Sequence, residues 1–548
     1  MFWVTDSIPA EPFPVAIRVD ASNSQGELKP IWRFFGADEP NYAYMKNGQK
    51  LLGELGELAP KNVYFRAHNL LTSGDGTPAL KWGSTNAYRE DAAGKPIYDW
   101  TILDRIFDAY RDAGVRPYAQ IGFMPKDLST RPEPYQHRWY PGAKYEEIYT
   151  GWAYPPKDYS KWNELVYQWV KHCVDRYGKD EVARWYWETW NEPDIGYWRG
   201  RPRSESFHRL HDHAIAAVRR ALPTAKVGGP DSAYESRFLR EFLEHCLYGV
   251  NYATGKEGTP LDFIAFHAKG GPSFVDGHVR MGIAQHLRNI DSSLAIIASF
   301  PELKNTPIVI GESDPDGCAA CRASAYPQYG YRNGTHYASY TAASFARKHD
   351  LAARHGVNLE GALTWAFTFE DQPLFAGFRS LATGGIDKPV LSVFRMMSKM
   401  TGKRLTVESD HHTPLDRMLR AGVRGTPDVS ALATLDDKTL RVLVWHYHDD
   451  GVAGDDAAVE LLLSGLPVEK GEASLRHFRI DEAHSNAFNL WKKLGEPQQP
   501  TADQYQQLER AGKLAEIEAQ DRTAVENRQA TIRFVLPRQA VSLVVLTF

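Results

Sequence analysis

A parallel (β/α)8 barrel followed by a β-sandwich is the α/β fold class that three observations predict. Short apolar runs alternate with amphipathic helical stretches eight times before about residue 400. From about residue 402 the pattern changes to short strands of period two, such as 440–447 and 458–463. A chain of 548 residues is too long for one ordinary domain and long enough for a barrel plus a second unit. The expected division is an N-terminal segment over 1–30, a barrel over 31–401 and a β-sandwich over 402–548.

The elements follow in chain order. Residues 1–9 lack the basic start and apolar stretch of a signal peptide, so the expectation is a cytoplasmic protein, or a periplasmic or secreted one whose signal peptide has been removed. The alternation at 15–20 is expected to pair into the sandwich sheet. Residues 32–38, the helical stretch 42–58 and residues 63–68 open the barrel as a β-α-β unit. Strand three is expected at 117–123 after the amphipathic stretch 102–113, and strand four at 182–190 after the helical spacing of 161–177. Residues 225–230, 263–267, 307–312 and 362–367 supply strands five to eight. The loop after strand three, 124–159, is long and holds Tyr135, Trp139, Tyr140, Tyr149, Trp152 and Tyr154; it walls in a ligand or packs on itself. One charged amphipathic helix is expected at 503–514, before the closing strands 531–536 and 541–546.

Two carboxylates stand out against this frame. Glu192 follows Asn191 at the close of strand four, and Glu312 ends the four-residue apolar run of strand seven, about 120 residues further on. Reacting groups of a parallel barrel sit at the carboxyl ends of its strands. A pair of such glutamates suits glycoside cleavage, which needs two carboxyl groups flanking one bond. The alternatives are structural: Glu192 caps a following helix that starts at Pro193, and Glu312 forms a buried ion pair with a barrel arginine such as Arg66.

Composition narrows the function classes. Hydrophobic residues at 43% and charged residues at 24% are ordinary globular values. Lys plus Arg (64) nearly balances Asp plus Glu (68), leaving no basic field for nucleic acid or an anionic membrane. No run approaches the roughly 18 apolar residues of a membrane span. The 15 Trp and 27 Tyr suit stacking on sugar faces as well as a large core. Four cysteines, Cys173, Cys246, Cys318 and Cys321, make no disulfide framework. The spacing of Cys318 and Cys321 fits a local disulfide or thiol pair shaping the loop beyond Glu312, or two buried thiols. The 19 His, including His411 and His412, show no His-x-x-x-His spacing, so no metal and no organic cofactor are expected.

Trp190-Asn191-Glu192-Pro193, Phe35-Gly36-Ala37-Asp38-Glu39-Pro40-Asn41 and Gly311-Glu312-Ser313, in that spacing, resemble glycoside hydrolase family 39, the retaining β-xylosidases and α-L-iduronidases. His484-Ser485-Asn486-Ala487 and Trp491 extend the resemblance over nearly the whole chain. It implies that Glu192 is the general acid/base, Glu312 the nucleophile and Asn191 the amide that holds the sugar 2-hydroxyl. It further implies that His68 and His267 line the terminal-sugar subsite, that Trp365 lies under the sugar and that Glu370 binds sugar hydroxyls. For the histidines and Trp365 the competing reading is an ordinary core residue. Lys269, two residues past His267, stands where some bacterial xylosidases carry an aromatic residue; this resembles the iduronidase branch, with Arg379 as an assisting cation.

The resemblance therefore implies an exo-acting retaining glycosidase releasing β-D-xylose from the non-reducing end of xylo-oligosaccharides. Tyr326, Tyr329 and Tyr331 are expected to help wall off one side of its site. An α-L-iduronidase-like or other exo-glycosidase is the alternative; a carbohydrate-binding protein without catalysis is disfavoured because both carboxylates are present. The expected partner is the oligosaccharide, with a homo-oligomer also open.

Overall fold

The structure, a computed structural model, describes residues 11–140, 142–234, 236–517 and 521–548. The stretch 1–9, read above for a signal peptide, lies outside the described residues.

Seven parallel strands, Phe34–Ala37, Val63–Ala67, Val115–Ile121, Tyr186–Thr189, Lys226–Ser232, Phe263–Lys269 and Ile308–Asp314, stand side by side in chain order. The eighth comes in two pieces. Leu359–Ala362 pairs with strand seven and Thr364–Trp365 with strand one. Leu363 between them still donates to Ile310 O at 2.9 Å and accepts from Ser313 N at 2.8 Å, so the ring closes across the break. The eight-fold barrel expected from the sequence is present.

Local chemistry accounts for the covering helices. Thr101–Asp112 buries Leu103, Ile106, Phe107 and Tyr110, one stripe at helical spacing. Tyr159–Tyr177 starts where the Asp158 carboxylate accepts from the Ser160 and Lys161 amides, and stops at Gly178, whose φ of +88° other residues adopt with strain. Strand four begins at Tyr186 rather than at residue 182, because Val182 closes a short helix, Lys179–Val182. An apolar run reads alike in both states.

The lower half of the barrel is plugged by rings. Rings touch at centroid distances of 4.9–5.1 Å along the series Phe34–Tyr64–Tyr186–Phe263, and Tyr118 meets Tyr186 at 5.2 Å. The fully buried ions Arg66, Glu188 and Asp231 lie nearer the carboxyl ends of the strands.

The second unit is one continuous ten-stranded sheet rather than two separately bonded ones. Its path ends at Gly471–Ile480 and its edge partners on one side, and at Ala530–Leu536 on the other. Arg522–Val525, paired on Gly471–Ile480, runs through the tight turn closed by Gln529 N to Glu526 O (2.9 Å) directly into Ala530–Leu536. The two edges thus lie together, and the sheet must fold over on itself. The strand Phe13–Glu27 sits inside this sheet, antiparallel to Lys403–Ser409 and parallel to Ala457–Ser464. Val442, Val444 and Val544 face the inner core, whereas Leu443, Trp445 and Leu543 join the barrel's apolar cluster. Helices Ala487–Lys493 and Ala502–Gly512 also lean on the barrel, through Trp491 on Phe375 (5.1 Å) and Lys513 to Glu54 (2.6 Å).

Ile17 is fully buried in the inner core although it lies about 390 residues before its strand partner Ser409. Ile17→Ala should cost about 2–4 kcal/mol, read as a lower midpoint of urea unfolding; an unchanged midpoint would mean that the N-terminal strand is not part of the cooperative core.

Candidate active site

Arg66, at the end of strand two, is completely buried and gathers the strand ends around it. Its Nε lies 2.6 Å from Glu188 on strand four, one terminal nitrogen pairs with Asp231 on strand five and donates to Asn191 Oδ1 at 3.0 Å, and the other lies 3.1 Å from His68 Nε2 and 3.7 Å from Glu312 Oε1. A guanidinium has no acceptor, so the Asn191 amide must present its oxygen to Arg66, and its NH2 is turned elsewhere.

Glu192 occupies a strained turn. Trp190 and Glu192 have φ of +72° and +44°, a region unfavourable for both residues, and Glu192 N donates to Asp231 O at 2.9 Å. The next helix starts only at Arg203, so Glu192 caps no helix. Its Oε1 lies instead 2.9 Å from His267 Nδ1. His267 Nε2 lies 2.8 Å from Asp231 and 3.9 Å from Glu312. One imidazole touches both candidate carboxylates. Burial alone would lower the His267 pKa, but Asp231, Glu312 and the bond to Glu192 push it up to about 10, so the ring is an imidazolium at neutral pH.

Glu312 is almost fully buried at the end of strand seven. A Cβ on the preceding Gly311 would come within 1.8 Å of Asp231 Oδ1; only glycine lets that carboxylate lie against the strand. Lys269 Nζ stands 2.6 Å from Glu312 Oε2 and 2.5 Å from Asp314 Oδ2. Burial by itself raises the Glu312 pKa, yet Lys269, His267, His68 and Arg66 together hold it well below the usual carboxylate range. The contact with Arg66 expected of a structural ion pair exists, but it is looser than that with Lys269. Glu312 is therefore an ionised carboxylate in a nearly dry site.

His68 is held by Asp38 Oδ1 at 2.7 Å, and its ring meets Trp365 at 4.4 Å. Burial keeps its pKa low despite Asp38, so the ring is neutral, with a proton on Nδ1 toward Asp38. A Cβ at Gly36 would meet the Trp365 ring at 2.5 Å, so Gly36 makes room for that indole beside Arg66. Arg379 pairs with Asp314 (2.6 Å) and Asp316 (3.3 Å). Seven of the residues singled out above thus share one site: Glu192, Glu312, Asn191, His68, His267, Lys269 and Trp365.

Glu370 is placed differently. Its two carboxylate oxygens accept from Asn47 Nδ2 (2.7 Å) and Gly48 N (2.8 Å), at the start of the helix Lys46–Leu58. A carboxylate suits a helix N-terminus, and that contact occupies it.

Two contributors escaped the sequence reading. Asp231 carried the same signal as Glu312, a charge at the end of a barrel strand, but strand five was read as closing at Pro230, one residue short of it. Lys81, in the loop after strand two, has no patterned neighbourhood at all.

The loops above the site meet. Trp139 Nε1 donates to Ala320 O at 3.2 Å and Tyr145 OH to Gly317 O at 3.3 Å, joining the loops after strands three and seven. Cys318 and Cys321 are joined by a disulfide, and Arg332 donates to the carbonyls of both (2.7 and 2.6 Å) while pairing with Asp316. Tyr331 is buried with its hydroxyl on Asp316, and Tyr329 lies under Arg332 at 3.8 Å; both support the loop from within. Among the described residues no group of three or more His, Cys, Asp or Glu side chains is placed to hold a metal ion.

A family model described as "Glycosyl hydrolases family 39" matches residues 15–527. A β-xylosidase of Geobacillus stearothermophilus is 24% identical over 550 residues, covering 95% of this chain and 94% of that one. An α-L-iduronidase of Mus musculus is 25% identical over 529 residues, covering 90% of this chain and 75% of that one. The crystal structure of a monomeric β-xylosidase from Caulobacter crescentus CB15 superposes with a TM-score of 0.74 at 21% identity, over 97% of this chain and 99% of that one.

The raised His267 pKa has a sign. A group charged up to about pH 10 when folded, and to about 6.5 when unfolded, contributes stability that is complete below 6.5 and lost as pH rises through 10. The stability gap between wild type and His267→Gln should therefore narrow across that window in denaturant titrations. A gap that stays constant would show that the imidazole does not titrate there.

Proposed function

The chain belongs to glycosyl hydrolase family 39, a glycosidase acting on oligosaccharides, and from that premise we propose an exo-acting retaining enzyme that releases β-linked xylose from the non-reducing end of xylo-oligosaccharides. The observation that carries the reading is the His267 ring, in reach of Glu192 on one side and Glu312 on the other, 2.9 and 3.9 Å away. Two carboxyl groups in reach of one imidazole support a site in which both flank a single anomeric carbon; retention asks for carboxyls about 5–5.5 Å apart.

In this reading Glu312, kept anionic by Lys269, His267, His68 and Arg66, attacks the anomeric carbon. The bond to the leaving oxygen breaks as Glu192 delivers its proton to that oxygen. In the second step Glu192 takes a proton from water, the water oxygen bonds to the same carbon, and Glu312 departs as a carboxylate. The three cations around Glu312, Lys269, His267 and Arg66, are already in place, so little reorganisation accompanies the change in its charge. Asn191, anchored by Arg66, is set to donate to the 2-hydroxyl. The hydrogen bonds of Trp139 and Tyr145 to the strand-seven loop close one side of the site, which favours attack at chain ends.

Lys269 also motivates a second reading, cleavage of an α-L-iduronide, since an ammonium 2.6 Å from the nucleophile lies where a sugar carboxylate would bind. A neutral sugar is favoured because Lys269 already serves Glu312 and Asp314, and Arg379 serves Asp314 and Asp316, so neither cation awaits a further anion. Aryl glycosides of xylose, arabinose, glucose and iduronic acid separate the two: release from the xyloside is expected, and release from the iduronide alone would overturn the xylosidase reading.

Glu312→Ala should be nearly inactive on every substrate and, with azide, give a glycosyl azide of inverted configuration. Glu192→Ala should still form the glycosyl-enzyme from aryl xylosides whose leaving groups need no proton, and azide should give the retained product. A retained azide adduct from Glu312→Ala would exchange the two roles; full activity in both variants would move the chemistry to another carboxylate.

A further inference from the structure

Lys81 is a lysine in a buried place with a polar head left to use. Its residue is 7% exposed, and its Nζ lies 3.1 Å from Asp38 Oδ2 and 3.5 Å from the Tyr197 hydroxyl. The ring centroids of Tyr145 and Trp139 stand 5.3 and 5.7 Å from it, the range of a cation over aromatic faces. Burial works against its charge, but Asp38, Tyr145 and Tyr197 hold its pKa well above the ordinary lysine value, so the head is an ammonium with three donors.

Its backbone is also held. Lys81 has φ of +58°, its amide donates to Glu39 Oε1 at 2.5 Å, and its carbonyl accepts from His137 at 3.0 Å. Left-handed backbone at a non-glycine residue persists only where the surroundings impose it, and such places collect at ligand sites.

The line outward from the nucleophile gives the location meaning. Glu312 Oε1 lies 3.7 Å from His68 Nε2, His68 Nδ1 lies 2.7 Å from Asp38 Oδ1, and the other Asp38 oxygen meets Lys81. The ammonium therefore stands one imidazole and one carboxylate away from the atom that attacks the anomeric carbon, by way of Glu312 Oε1, whereas Lys269 meets Oε2. A pyranose whose C1 is at Glu312 carries its C3 and C4 hydroxyls across the ring from that atom. We propose that Lys81 is a specificity-determining residue of the terminal-sugar pocket, donating a hydrogen bond to the C3 or C4 hydroxyl of the bound sugar. The proposal rests on the glycosidase reading above and adds the residue that reads the far end of the ring.

The test crosses an enzyme change with a substrate change. Wild type and Lys81→Met are assayed on aryl β-xyloside and on its 3-deoxy and 4-deoxy analogues. In wild type, one deoxygenation should lower kcat/KM about 10–100-fold, the scale of a lost charged hydrogen bond. In Lys81→Met, kcat/KM on the parent should fall by a similar factor, and that same deoxygenation should then cost less than about 3-fold, because the partner is already gone. Should Lys81→Met fail to fold, the pair Asp38→Asn with Lys81→Met removes both buried charges together and is read in the same way, against Asp38→Asn alone. Equal deoxygenation penalties with and without Lys81, at both positions, would overturn the assignment and leave the glycosidase reading intact. Absence of wild-type hydrolysis on every aryl glycoside would instead bring down the reading on which the proposal stands.

Discussion

The Arg66 guanidinium, sealed at the centre of the barrel, is the constraint on which the site depends. A buried charge costs several kcal/mol unless opposite charges and hydrogen bonds surround it, and the layer of aromatic rings below this one offers no anion, its Tyr118 hydroxyl donating to Glu188 at 2.7 Å. Its partners must therefore come from the strands at its own level: Glu188, Asp231 and, more distantly, Glu312. Three anions around one cation would be too many. Burial pushes Glu188 up to about 8 with Asp231 acting in the same direction, and the pull of Arg66 does not cancel it, so Glu188 is largely protonated near neutrality. The remaining charge is shared out when His267 holds a proton between Asp231 and the two carboxylates.

From Glu312 the charges continue outward with alternating sign: Lys269, Asp314, Arg379, Asp316 and Arg332. The members come from the ends of strands six and seven and from the loops after strands seven and eight, so the series ties the strand of Glu312 to the loops that cover it. Arg332 finishes it by donating to the carbonyls of Cys318 and Cys321, where the disulfide shapes the same loop. Fixed ions in a dry pocket present their fields before any substrate arrives, which is the condition for stabilising charge that develops during reaction.

The second unit reaches the same strand by packing. Tyr447 meets Tyr340 of the helix Thr335–His355 at 5.8 Å, Tyr340 OH lies 2.8 Å from His286, and His286 lies 2.9 Å from the hydroxyl of Ser313, the residue after Glu312. The outward face of the folded sheet is thus part of what positions strand seven. That sheet needs the N-terminal strand in its interior, and so residues at the start of the chain contribute to the setting of a glutamate some 300 positions later.

The sequence alone was enough for the barrel, because eight apolar runs separated by amphipathic helices have few other ways to bury their faces. It also singled out Glu192 and Glu312, because carboxylates at strand ends are costly and stand out, and the motifs around them carried the family. It misplaced the start of strand four, where Val182 is apolar in a helix as it would be in a strand. It gave no sign that the Glu370 carboxylate lies on the Lys46–Leu58 helix terminus, a contact with a neighbour more than 300 residues away. Only the tertiary structure decided which charges meet: that Asp231 lies against Gly311, that one His267 ring reaches both glutamates, and that Lys81 lies beyond His68. Those facts depend on side chains from strands far apart in the chain converging on one level of the barrel. Local pattern records a residue's burial and secondary structure, but not its partner across a closed ring.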